Sequence, residues 1–473
     1  MLGDDVLYLS VRELGDRIRT RQISPVELAE SYLSRSETLG PRFHAYATLT
    51  RELALKQARA AQAEIAAGHY RGPLHGIPYA LKDLVAVEGY PTTWGARPFA
   101  TQKLGYNATI VERLNRAGSV LVGKAAMIEL AGGLGYSSAH ASFTGAARNP
   151  WNTKCWTCGS SSGSGAVVSA ALAPWALGSD TRGSTICPAA WCGIAGMRPS
   201  FGRVSRYGAM AIAWSMDKLC PMARTADDCG LVLSVIAGHD PRDIASLPGE
   251  FPYPAPELEP KMPLRIGRLT NVWNKLDPGL DDAVNAALRV LEQNGARVSE
   301  AAIPDGPYEQ VAELTIQMEA VSAFQELIES GRCSELEDPL GKINGYAGFQ
   351  FTLNDYLQVQ RVRTFLQERI DRLFDDYDLL ATAGESSAAS AIEDVDDDSE
   401  DPIEQRAPDG ISSLCGLPAL SVPCGFSKEH LPFGIQFIGR ALNDHAVIAA
   451  ARLYQEHTDW HTQRPPIADP PPA

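Results

Sequence analysis

No stretch of this 473-residue chain reaches the run of about 20 apolar residues that a helix needs to span a bilayer; the nearest approach is the small-residue segment after Gly165. Positive charge is also in deficit. Lys and Arg number 42 against 57 Asp and Glu, a net charge of -15. Nucleic acid and anionic membrane are met by a basic patch, so neither is an expected partner. The nine histidines are dispersed, and no second cysteine pair or H-x-x-x-H completes the lone Cys155-Trp156-Thr157-Cys158, so no metal ligand set is expected. The nine cysteines are scattered and odd in number, which predicts reduced thiols rather than a disulfide framework. Met1-Leu2-Gly3-Asp4-Asp5 carries an acidic pair where a secretory signal would carry Lys or Arg, so the expected compartment is the cytoplasm. From Gly118 to Lys124 the chain nearly spells a phosphate-binding loop, but Ala125 stands where a magnesium-binding hydroxyl is required, and nucleotide binding is set aside.

What is present is ordinary globular material, 45% hydrophobic and 21% charged, enough for a large core. Ser10 with Glu13, and Ser24-Pro25-Val26-Glu27, have the spacing of helix starts, and Arg51 to Ala67 reads as a third N-terminal helix stopped at Gly68. Tyr79 to Val85 is too short and apolar for a surface helix and reads as a strand containing one lysine, Lys82. Ile110 to Ala117 reads as a helix and Val120-Leu121-Val122 as a strand. Beyond a proline-rich stretch, 248–263, Leu264 to Gly267 resembles a strand, and Leu280 to Asn294, Glu309 to Ser330 and Leu353 to Phe374 have helical patterns. Glu393 to Glu404 holds eight acidic residues and reads as a solvated loop. Leu414 to Pro423 and Leu431 to Gly439 read as buried strands, and Asp444 to His457 as the last helix, before a Pro-rich tail.

Two Gly/Ser loops bracket one small-residue segment: Cys158 to Ser164, and Gly178-Ser179-Asp180-Thr181-Arg182-Gly183-Ser184. Taken singly, such clusters are most often turns. Side by side, they can bring hydroxyls from Ser160 to Ser164 against that of Ser184, a candidate nucleophile site. This pair, the second loop aligned from Gly178 as far as Ile186, with Pro188-Ala189, Cys192-Gly193, Gly196 to Ser205, Gly72 to Pro78 and Lys82-Asp83, resembles the amidase signature family in order and spacing. The resemblance covers residues 70 to 240 and the C-terminal seventy or so. It implies one large α/β domain over 1–473, a mixed twisted sheet covered on both faces by helices. Within it, 1–68 would be N-terminal helices, 70–240 the core, 241–405 a variable helical region lining the pocket, and 406–473 a return to the core sheet. It also implies a serine acyl-enzyme mechanism with Lys82 as base, Ser160 as a relay serine on a cis peptide after Gly159, and Ser184 as nucleophile. The backbone N–H groups of Thr181, Arg182, Gly183 and Ser184 would hold the oxyanion. No cofactor is implied. The expected partner is a small-molecule amide or carbamate, and a homodimer is compatible with the resemblance.

A serine hydroxyl needs a base, and a lysine serves only if burial or nearby cations make it neutral; a strand position suits Lys82 to that task. Two departures from the family pattern flank the nucleophile: Arg182 replaces the usual Gly, and Ile186 the Arg of S-I-R. With Tyr136 and Trp214, and Trp94 near the same loops, they are the candidate pocket residues, and nothing among them demands a charged substrate. Hydrophobic or aryl amides are therefore the expected substrates, with carbamates and esters open to the same chemistry. Two rival readings remain. Gly159 to Gly163 also fits G-x-S-x-G, which would make Ser161 the nucleophile of an α/β-hydrolase. Gly202 to Gly208 strongly resembles the ammonia-supplying component of a glutamyl-tRNA amidotransferase, which works with partner subunits.

Overall fold

Local signals start the N-terminal helices. Ser10 accepts the Glu13 N–H while the Glu13 carboxylate accepts the Ser10 N–H, a complete capping box for the helix Val11–Arg19. Ser24 caps Pro25–Phe43, with Pro25 in the first turn, and Arg51–Ala66 follows. The computed structural model describes residues 1–258, 262–397 and 407–467. None of its helices is long and apolar enough to cross a membrane.

Eleven strands form one mixed sheet. In chain order they are β1 Tyr46–Leu49, β2 Pro78–Lys82, β3 Val120–Ala125, β4 Trp175–Asp180, β5 Ala195–Arg198, β6 Lys218–Ala223, β7 Arg265–Leu269, β8 Arg297–Ala301, β9 Leu379–Ala383, β10 Ala419–Phe426 and β11 Pro432–Gly439. Across the sheet the order is β1-β3-β2-β4-β6-β5-β10-β11-β9-β7-β8. At one end β2 lies parallel to both β3 and β4; at the other β7 lies parallel to both β9 and β8. Antiparallel pairs join the two ends through β6, β5, β10 and β11.

Period-two alternation places apolar side chains on both faces. Tyr79 and Leu81 of β2, Leu121 of β3 and Trp175 and Leu177 of β4 join one buried cluster, while Ala80, Val120, Val122 and Ala176 join another. Strands buried on both sides read as near-continuous apolar runs, which is how β2 and β3 read in sequence. The same burial makes Lys82, which is wholly buried, the exception on its strand.

The structure corrects several expectations. The region 241–405 is not only helical, since it supplies β7, β8 and β9 to the sheet. The run 414–423 is divided: the helix Ala407–Leu414 ends where the strand was expected to begin, and β10 starts at Ala419. The pattern 309–330 breaks at Phe324 into Tyr308–Ala323 and Gln325–Glu329. Of the acidic run, 393–397 forms part of a short helical turn, Ile392–Asp397; its remainder and the end of the Pro-rich tail lie outside the described residues. Cys158 and Cys187 form a disulfide, so reduced thiols describe only the other seven cysteines.

The glycine content of the first loop has a packing reason. A Cβ on Gly163 would lie 2.5 Å from the backbone N and O of Ala126 and from the O of Ala45, so the fully buried helix Ser162–Ser169 sits directly on the end of β3. Gly163→Ala therefore forces backbone apart and should destabilise the fold by about 3 kcal/mol, the upper range for overpacking. Gly105→Ala, with nothing within 4 Å of its Cβ, is the neutral control; equal urea midpoints for the two variants would contradict this packing.

Candidate active site

Neighbouring parallel strands bring the site together. Leu81 of β2 pairs with Leu177 of β4, so Lys82 and the turn Ser179 to Ser184 emerge at the same end of the sheet. The loop carrying Ser160 meets them because Ser161 is tied down: its Oγ donates to the Ser179 carbonyl at 3.1 Å and accepts the Ser179 N–H at 3.2 Å. The Ser161 N–H in turn donates to the Ser184 carbonyl at 3.2 Å. The Gly159–Ser160 peptide is cis.

Three side chains line up across these loops. Lys82 Nζ lies 2.7 Å from Ser160 Oγ and 2.9 Å from Ser179 Oγ, and Ser160 Oγ donates to Ser184 Oγ at 3.0 Å. Burial pushes the Lys82 pKa down to about 7, against the opposing pull of Asp180. An amine so placed is substantially neutral at neutral pH and can take a proton from Ser160, which can take one from Ser184.

Asp180 organises the turn behind them. Its carboxylate accepts the Gly183 N–H at 2.9 Å and the Thr185 N–H at 2.8 Å, with Arg198 at 3.3 Å. Burial disfavours its charge, yet Arg198, Lys218 and those N–H groups hold it below the usual carboxylate range. Because the Gly183 N–H is bound to Asp180, the expected set of four oxyanion donors narrows to Thr181, Arg182 and Ser184. The Thr181 hydroxyl donates to Asp217 at 2.7 Å.

Ser184, Gly159, Thr181 and Arg182 open on a cleft of about 430 Å³, walled by residues 131–136 on one side and by side chains of Tyr308–Ala323 and Pro339–Gly348 on the other. Tyr136 and Arg182 line it as expected. Ile186 does not: it begins the helix Ile186–Cys192 and is buried in a cluster with Ala213 and Met216. Trp214 does not either; it is 56% exposed, lines a separate cavity of about 250 Å³ and lies 4.9 Å from the Arg206 guanidinium. Trp94 packs against Phe99 and is not part of the cleft lining. Ser161, the nucleophile of the rival reading, is wholly buried in its two contacts with Ser179, and no histidine lines the cleft among the described residues. Lys124, end of the near phosphate loop, pairs with Asp83 at 2.8 Å, both fully buried. One described group, Cys158, Cys187 and Glu385, brings three metal-type donors within 4.8 Å, and its two sulfurs are bonded to each other.

Sequence reasoning passed over Ser179 and Asp180 as individual residues although both stand in the quoted loop; an acid between Ser179 and Thr181 in a Gly/Ser turn is the signal that marks the second. Glu313 carries no local signal, since its partner Arg182 is 131 positions away.

A profile of the amidase family matches residues 27–448. The chain belongs to the amidase family. Among its relatives is the A component of the glutamyl-tRNA(Gln) amidotransferase of Chloroflexus aggregans, 37% identical over 490 residues, covering 98% of this chain and 99% of that protein. The native peptide amidase of Stenotrophomonas maltophilia superposes with a TM-score of 0.86 at 29% identity, covering 98% of this chain and 99% of its own. A 6-aminohexanoate cyclic dimer hydrolase shares the fold, with a TM-score of 0.88 at 24% identity over 97% of this chain and 99% of that one.

With Lys82 as the expected base, the pH profile of turnover should follow its titration. Its pKa is depressed, so the neutral form gains as pH rises: kcat/KM should climb about tenfold per pH unit below 7 and level off above it. A profile flat from pH 5 to 8 would show that Lys82 is not the titrating base.

Proposed function

We propose that this amidase cleaves amide C–N bonds through an acyl-enzyme on Ser184. The observation that carries this reading is the unbroken series from Lys82 through Ser160 to Ser184, opening on the cleft. Ser184 Oγ attacks the carbonyl carbon as its proton passes to Ser160 and that of Ser160 passes to Lys82. The tetrahedral oxyanion is met by the N–H groups of Thr181, Arg182 and Ser184. The C–N bond then breaks as the leaving amine takes a proton from Ser160, which Lys82 resupplies. Water attacks the acyl-enzyme by the same route, releasing the acid and restoring Ser184.

For the acyl group we propose a hydrophobic, including aryl, substrate. Tyr136, Ile316, Leu340 and Phe351 line the cleft alongside Arg182, Glu313, Gln317 and Asn344, and apolar side chains with placed polar groups between them suit such a ligand. Carbamates and esters fit the same carbonyl chemistry. A second reading, the ammonia-releasing component of a glutamyl-tRNA amidotransferase, is favoured by such proteins being 36% and 37% identical over 98% of this chain. Identity supports that second reading better; the make-up of the cleft supports the first. We place the activity in the cytoplasm, in a chain acting as one domain.

Comparing kcat/KM of the isolated chain for matched aryl amide, aryl carbamate and glutamine separates the readings. The expected order is aryl amide first and glutamine last; a marked preference for glutamine would instead establish the amidotransferase reading.

Lys82→Ala, Ser160→Ala and Ser184→Ala should each lower kcat by about 10²–10⁴-fold or more, Ser184→Ala most, and the double variants should be no worse than the worst single one. Full turnover by Ser184→Ala would remove it as nucleophile. Every proton and charge in the scheme is assigned to protein groups, so turnover should be unchanged in EDTA; loss reversed by zinc would contradict the scheme.

A further inference from the structure

The turn that carries the nucleophile also carries a charge already matched by its neighbours. Arg182 NH1 lies 2.7 Å from Glu313 Oε2 and 3.5 Å from Glu309 Oε2. Glu313 is held from the other side, where Gln317, one turn further along Tyr308–Ala323, donates to Oε1 at 2.9 Å. The Arg182 side chain is 14% exposed and that of Glu313 28%, so the pair is partly withdrawn from water. Both line the cleft that contains Ser184, and among the described residues lining it Arg182 is the only cation and Glu313 the only anion.

We propose that the Arg182–Glu313 pair is a selectivity lock that admits uncharged acyl groups and rejects those carrying a carboxylate. This rests on reading the cleft as the acyl site of an amide hydrolase. A carboxylate entering the cleft finds one cation among the lining residues, and NH1 of that guanidinium is engaged. Its Nε and NH2 donate to no acceptor among the described residues, but an anion bound there stands beside Glu313. Like charges at such distances repel strongly where water is partly excluded. Displacing Glu313 would leave that carboxylate without its cation and would pull on residue 182, whose neighbour Thr181 and near neighbour Ser184 are the other candidate oxyanion donors. An uncharged alkyl or aryl group asks nothing of the pair and lies against Ile316, Leu340 and Phe351. Rejection of this kind, by a repulsive element built into a site, sets specificity as effectively as added attraction.

The lock predicts a gain of function. Wild-type protein is compared with Glu313→Gln and Arg182→Gln on hexanoyl-, glutaryl- and 6-aminohexanoyl-p-nitroanilide. In Glu313→Gln the glutaryl-to-hexanoyl ratio of kcat/KM should rise at least about tenfold, because a charge-assisted, bidentate partner becomes available to a substrate carboxylate. In Arg182→Gln that ratio should stay low while the 6-aminohexanoyl-to-hexanoyl ratio rises, because Glu313 then faces the cleft without its cation. A parallel readout needs no turnover: dissociation constants of phenylboronic acid and 4-carboxyphenylboronic acid, which both trap a nucleophilic serine, followed by tryptophan fluorescence. Relief of discrimination against the carboxylated boronate in Glu313→Gln supports the lock even if no anilide is cleaved, an outcome that would sink only the hydrolase reading. Ratios in Glu313→Gln within about twofold of wild type in both assays would overturn the lock, since removing one charge of a coupled pair must change discrimination.

Discussion

The removal of one ammonium group from water is the constraint on which the rest of this structure depends. Lys82 stands at the end of a strand buried on both faces, where its charged form is disfavoured and its neutral form is a base. Everything nearby serves to hold that amine where a hydroxyl can use it. Ser160 and Ser179 give it two oxygen partners, and the Asp180 charge opposes the desolvation enough to keep its titration near neutrality rather than far below. A sheet of parallel neighbours at this end makes the arrangement possible, since β2 and β4 deliver their loops to the same edge.

The second requirement is a turn that does not move. Asp180 meets it by binding two backbone N–H groups of its own loop and the guanidinium of Arg198, all out of water. An ionised acid buried in this way is tolerable because each oxygen has partners; removing any one would leave charge uncompensated in a low-dielectric interior. The Gly183 N–H is given to this anchor, so one donor of the expected oxyanion set serves architecture instead. On the neighbouring strand β3, Lys124 pairs with Asp83, the residue after Lys82, and fixes the strand end from which Lys82 projects.

Much of this was legible in the order of residues. A lysine inside an apolar strand, and hydroxyls in two Gly/Ser loops bracketing one small helix, are local features, and the structure does bring Lys82, Ser160 and Ser184 into one hydrogen-bonded series. Capping residues marked the N-terminal helix starts for the same reason: their partners lie three residues away. The failures are those of distance and direction. Ile186 stands close to the Ser184 loop in sequence, but a helix start turns it inward; Trp214, 30 residues beyond Ser184, is held by an arginine over another cavity. Cys158 and Cys187, 29 residues apart, carry no signal of pairing, and the short strands β8 and β9 have no pattern that their helical surroundings do not drown. Leu414 to Leu417 reads as the start of a strand because the end of a buried helix and a buried strand share one apolar composition.

The placement of β8 and β9 has a bearing on how such a protein can change. Both flank β7 and run parallel to it, so the chain leaves the sheet after Ala301 and returns at Leu379, two strand spacings across, about 10 Å, and three residues back along the strands, about another 10 Å. Between those points lie Glu313, Gln317, Leu340, Asn344 and Phe351, the far wall of the cleft. Lys82, Ser160 and Ser184 lie on other strands and loops of the chain. A segment whose two ends are held by one sheet can lengthen or shorten at modest cost, because closing a longer loop between fixed ends adds little free energy. The loops that carry Lys82, Ser160 and Ser184 and the segment that forms the far wall of the cleft are thus separate stretches of one polypeptide, and Arg182 reaches from the first to Glu313 of the second.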